Sequence, residues 1–141
     1  LLRRYSLERF SKRKVMDSSD IAGEYAVYLL SHEKRECFYA ICLDAQSRLI
    51  NAALVSHGII NQTNVYIRNV VEAVIKYNAV SVILAHNHPS GKLIPSESDI
   101  ITTVSIIKVL NSIDVNVVDH IIVADDKYMS MADEKLIKNS I

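Results

Sequence analysis

The alternation of apolar and polar positions changes rhythm several times along the chain, and each change marks an element. Residues 36–44, "ECFYAICLD", and 48–56, "RLINAALVS", are rich in strand-forming side chains and flank the short "AQS", so they read as an antiparallel hairpin. "TNVYIRNVVEAVIKYNA" places Val70, Val71, Val74 and Ile75 at helical spacing behind a cap at Thr63 or Asn64. It leads into "VSVILAH", apolar enough for a strand buried on both faces. "SESDIITTVSIIKVLNSI" predicts a helix opened by Ser96, and "VNVVDHIIVADD" and "KYMSM" predict two further strands. Ahead of the hairpin, residues 1–31 read as helical, with "DSSD" offering N-caps for "IAGEYAVYLL". A hairpin followed by alternating helices and strands predicts an α/β protein with three layers, a mixed sheet flanked by helices.

Composition bounds this picture without redirecting it. A chain of 141 residues, 50% of them hydrophobic, is the size of one ordinary domain with a continuous core. The organisation expected is an N-terminal helical segment, residues 1–32, and a sheet-bearing domain over 33–141. Sixteen basic and sixteen acidic residues cancel, which removes the global positive field that drives non-specific nucleic-acid binding. Nucleic acid remains a possible partner that the charge does not indicate. Arg3, Arg4, Arg9, Lys12, Arg13 and Lys14 do form a basic run, although such runs are usually solvated faces. Cys37 and Cys42 are five apart on one strand and so face opposite ways, which suits neither a disulfide nor a shared metal and predicts a reducing, cytoplasmic setting. No apolar run approaches the roughly 20 residues of a spanning helix, and "LLRRYSLERF" carries charge where a signal peptide needs apolar residues. The first residue is Leu1 rather than Met, compatible with a piece of a longer protein.

The chemistry is concentrated in "HNHPSGKLIPSESD", residues 86–99. Side chains at i and i+2 of a strand share a face, so His86 and His88 point together while Asn87 points the other way. Pro89, Gly91 and Pro95 constrain the following loop, which can return the start of the next helix over the strand end. Ser96 then opens that helix, and Asp99 lies in its first turn. Taken alone, Ser96 and Asp99 are a capping box. Taken with two imidazoles at a buried strand end, they complete a ligand set. Two neutral histidines and a carboxylate suit Zn2+ and leave a fourth tetrahedral position open, as in a catalytic rather than a structural site. The letters "HNH" do not make an HNH nuclease, whose residues are dispersed over a ββα motif. Zinc deaminases require H-x-E and P-C-x-x-C, and neither is present.

H-x-H, seven intervening residues and S-x-x-D resemble the JAMM (MPN+) zinc metallopeptidase pattern. "HNHPSG", "PSESD" and "VDHIIVADDKYMS" resemble the RadC branch of that superfamily, a likeness that runs from about residue 36 to the end. The resemblance implies a cytidine-deaminase-like JAB/MPN fold, with His86, His88 and Asp99 as zinc ligands and Ser96 as the serine that stabilises an oxyanion or orients the water. It also implies an upstream glutamate acting as general base. Glu36 matches by position, and Glu33 and Glu72 are the other carboxylates able to take that part. Asp119 and His120 match a pair in the RadC pattern and face opposite sides of a strand, so at most one could orient a ligand histidine, and a structural role is expected for both. Arg68 matches a family arginine within a divergent neighbourhood.

Two functions compete at this level. One is a zinc hydrolase of a peptide or isopeptide amide, with a peptide or protein substrate. The other is a DNA or protein binding module without turnover, suggested by the DNA-repair label of the RadC family and the basic N-terminal run.

Overall fold

The computed structural model describes residues 14–57 and 63–138. Its sheet has five strands in the order β2-β1-β3-β4-β5: β1 Cys37–Leu43, β2 Leu49–His57, β3 Ser81–Asn87, β4 Asn116–Ala124 and β5 Lys127–Ser130. Only β3 and β4 run parallel, so the sheet is mixed, as the order of elements predicts. Among the described residues three helices cover it: α1 Ser19–Leu30, α2 Thr63–Lys76 and α3 Glu97–Asn111.

Strand alternation sorts the core into two layers. Phe38, Ala40, Cys42, Val82 and Leu84 pack with Val70, Val74, Ile106 and Leu110 of α2 and α3. Cys37, Ile41, Leu43, Ile83 and Ala85 pack instead with Ala22, Ala26 and Leu30 of α1. Cys37 and Cys42 therefore lie on opposite faces, both buried and free. Gly23 allows α1 its close approach, since a Cβ there would collide with the Tyr128 ring, which is tethered through its hydroxyl to Asp20.

The hairpin turn is built by Asp44. Its carboxylate accepts from the N–H groups of Gln46 and Arg48 and from Arg48 Nε, while Ser47 adopts a positive φ of 61°. Three details differ from the periodicity. Helix α1 begins only at Ser19, capped by Ser18. Before it the chain is extended: Val15 bridges Arg48, and Met16 donates its N–H to Ser47 O, because the turn offers free backbone groups at the sheet edge. Residues 1–13, with most of the basic run, lie outside the described residues. Helix α2 includes Thr63 as a helical residue rather than a cap, and its Ile75 is 68% exposed, so the buried face rests on Val70 and Val74.

A β-bulge in β4 decides what reaches the site. Val82 pairs with Val117 but Ile83 pairs with Asp119, leaving Val118 as one extra residue. Simple alternation from Val117 would turn Asp119 toward α2 and α3. The bulge exchanges the two, and His120 faces that layer while Asp119 faces away.

Among the described residues, no helix is long and apolar enough to cross a membrane.

Candidate metal centre

The end of strand β3 brings His86 and, one residue past the strand, His88 to one point, with their Nε2 atoms 3.0 Å apart. His86 is 1% exposed and stacks on Phe38 at a centroid distance of 5.7 Å. The loop after β3 curls around His88: its N–H donates to Val123 O, Gly91 N–H donates back to His88 O, and His88 Nδ1 donates to Lys92 O. Gly91 takes a φ of 88°, a region that a side chain makes costly. Ser96 caps α3 in a complete capping box, with Asp99 N–H donating to Ser96 Oγ and Ser96 N–H donating to Asp99 Oδ2. The cap reading of these two residues is therefore correct as far as it goes. The same carboxylate lies 3.0 Å from His88 Nε2 and 3.3 Å from His86 Nε2.

Glu36 completes the group. One ligand atom each from Glu36, His86, His88 and Asp99 lies within 4.8 Å of the others. Of the alternative carboxylates, Glu33 sits against Cys37 Sγ and Glu72 is exposed on α2.

One hydrogen-bond arrangement presents both histidine Nε2 lone pairs to the centre. Thr103 Oγ1 gives its single proton to Asp99 O, 2.7 Å away, so toward His120 Nδ1, at 2.6 Å, it can only accept. Burial drives the His120 imidazole well below its ordinary pKa, and the nearby charge of His86 adds to this, so His120 is neutral. With Nδ1 donating, its Nε2 is an acceptor and takes the proton of His86 Nδ1 at 2.7 Å. His86 is left with a lone pair on Nε2. His88, donating through Nδ1 to a carbonyl that can only accept, also presents a lone pair on Nε2.

Two imidazole nitrogens and two carboxylates thus converge, a donor set suited to a cation. The hydrogen bond to Asp99 raises the His88 pKa, against the opposing effect of burial, with Lys92 O and the charge of Asp99 adding to it. Burial alone would raise the Asp99 carboxyl, but hydrogen bonds from His86 and His88, the charge of His86 and the Ser96 N–H hold it well below the carboxylate range.

The centre opens into a cavity of about 300 Å³ whose walls include Phe38, Tyr66, Ser90, Lys92 and Ser98. That is the lower end of the size range for small-molecule sites.

The RadC-like JAB domain matches residues 16–136. This chain belongs to the RadC-like JAB domain family. UPF0758 proteins of Pseudoalteromonas translucida and Pseudomonas fluorescens are each 39% identical to it, over 97% and 94% of the chain. The chain spans about three-fifths of these relatives, 61% and 59% of their lengths. The α/β fold with a mixed five-stranded sheet agrees with that family.

The fold brings Glu36, His86, His88 and Asp99 together as a group able to hold a metal ion. His120 orients His86 directly, a part for which a purely structural role was expected. Asp119 does serve structure: its carboxylate accepts from His120 N–H, Ala132 N–H and Ser130 Oγ, with burial as the main cause of its raised pKa. Thr103 was not a candidate at all, although its position one helical turn after Asp99 is a usable signal. Arg68 is exposed on α2.

Proposed function

We propose that this chain is the metal-dependent hydrolase domain of a JAMM-type protein, acting on a peptide or isopeptide amide with zinc as its ion. The observation that carries this reading is the convergence of two Nε2 lone pairs and the Asp99 carboxylate on one point, with a further carboxylate, Glu36, beside them. His86, His88 and Asp99 would hold the ion. A bound Zn2+ supplies Lewis-acid polarisation and lowers the pKa of water to about 7.

The remaining work falls to the chain's own groups. Glu36 accepts a proton from the attacking water and returns it to the departing amine nitrogen. Ser96 accepts from Asp99 N–H through a lone pair, so its own proton is available to the substrate carbonyl oxygen as negative charge develops there. The Phe38 and Tyr66 rings, stacked at 4.9 Å, give the substrate an apolar wall.

The test is a screen of fluorogenic peptides and isopeptide-linked conjugates with the zinc-loaded protein. Glu36→Gln should lose about 10²- to 10⁴-fold in kcat while keeping its zinc. Absence of turnover on every class, or equal turnover by Glu36→Gln, would sink the reading.

A further inference from the structure

We propose that Asn87, the residue between the two ligand histidines, is the positioning residue for Glu36; this rests on the general-base role given to Glu36 above. Asn87 is 3% exposed, and alternation sends its side chain to the face of the sheet opposite His86 and His88. There its amide makes three hydrogen bonds. Oδ1 accepts from Cys37 N–H at 2.7 Å, and Nδ2 donates to Arg35 O at 3.0 Å and to Glu33 O at 3.2 Å.

Those partners bracket Glu36. Arg35 O belongs to the peptide group before it and Cys37 N–H to the peptide group after it, so one side chain immobilises both. The pairing of β1 with β3 reaches Phe38 opposite His86. The Asn87 amide carries that register one residue further with a side chain in place of backbone. Phe38 shares the face of His86, Cys37 lies on the other face, and residue 36 returns to the face of the histidines. The amide is thus the tie between the segment from Glu33 to Cys37 and the β3 side of the sheet. The three adjacent residues thus divide the work: His86 and His88 present nitrogen lone pairs on one face, and Asn87 fixes the carboxylate that approaches from β1.

The experiment uses the whole chain loaded with Co2+, a paramagnetic probe for the zinc position, together with amide hydrogen exchange. In Asn87→Ala, exchange at Cys37 N–H should quicken by about tenfold as that bond is lost. The pseudocontact shifts of the Glu36 side chain should collapse toward an average, while those of His86 and His88 persist and Zn2+ affinity is unchanged. Asn87→Asp keeps an oxygen for Cys37 N–H but loses both donors, so Cys37 should stay protected and the Glu36 shifts should be intermediate; this variant decides the matter if Asn87→Ala does not fold. With a turned-over substrate, Asn87→Ala should lower kcat at constant KM, and should cost nothing further in a Glu36→Gln background. Unaltered Glu36 shifts in both variants, or Zn2+ affinity that falls while those shifts persist, would overturn the proposal. The exchange and shift measurements need no substrate, so failure of the hydrolase reading is distinguishable from failure of this one.

Discussion

A cation at His86 Nε2 requires the proton on Nδ1, and His120 Nε2, 2.7 Å from Nδ1, is the acceptor for it. In that state the proton order runs from His86 Nδ1 to His120 Nε2, from His120 Nδ1 to Thr103 Oγ1, and from Thr103 to the carbonyl of Asp99, so the chain of bonds begins at one residue of the proposed ligand set and ends at another. Outer partners of this kind are typically worth 10- to 100-fold in metal affinity. His120→Phe, which removes the acceptor, should therefore weaken Zn2+ binding about 10- to 100-fold in a calorimetric titration. Thr103→Val, which lets the His120 ring choose its tautomer, should weaken it less. Affinity equal to wild type in both variants would show that the relay is merely structural.

At the scale of elements, the turn between β1 and β2 is a self-contained unit whose strength depends on pH. What burial the Asp44 carboxyl has raises its pKa, but the backbone N–H groups of Arg48 and Gln46 and the Arg48 guanidinium outweigh it, so it titrates below its usual value. A carboxyl depressed by folding contributes stability that is complete above its unfolded pKa of about 3.9 and is lost as pH falls through the lower folded value. Asp44→Ala should accordingly lower Tm at pH 7, and the gap should narrow below about pH 3.9. A gap that stays constant across that range in thermal melts would assign the effect to the backbone of the turn. The bulge at Val118 acts at the same scale, because one inserted residue exchanges His120 for Asp119 at the centre.

For the whole molecule, the candidate centre draws on the start of β1, the end of β3 and the first turn of α3, which meet only in the folded chain. Metal binding should therefore register as global stability. At a free Zn2+ concentration 100 times Kd the gain is about 2.7 kcal/mol, which for a chain of 141 residues shifts Tm upward by about 9 °C. The shift should vanish with chelator and in Asp99→Ala, as followed by calorimetry. A Tm indifferent to Zn2+ in the wild type would remove the metal centre altogether.

The sequence by itself determined what lies within one element or across one constrained turn. The pairing of His86 with His88, the capping box of Ser96 and Asp99, the hairpin and the mixed α/β order all follow from local spacing, because the periods of strand and helix are local properties. Tertiary structure decided what depends on register between distant strands. The nearness of Glu36 to the histidines, the inward turn of His120 and the grip of Asn87 on residues 33–37 each join segments far apart in sequence. A shift of one residue in a strand sends every side chain to the other face. The Val118 bulge is such a shift, and periodicity alone does not disclose where it falls.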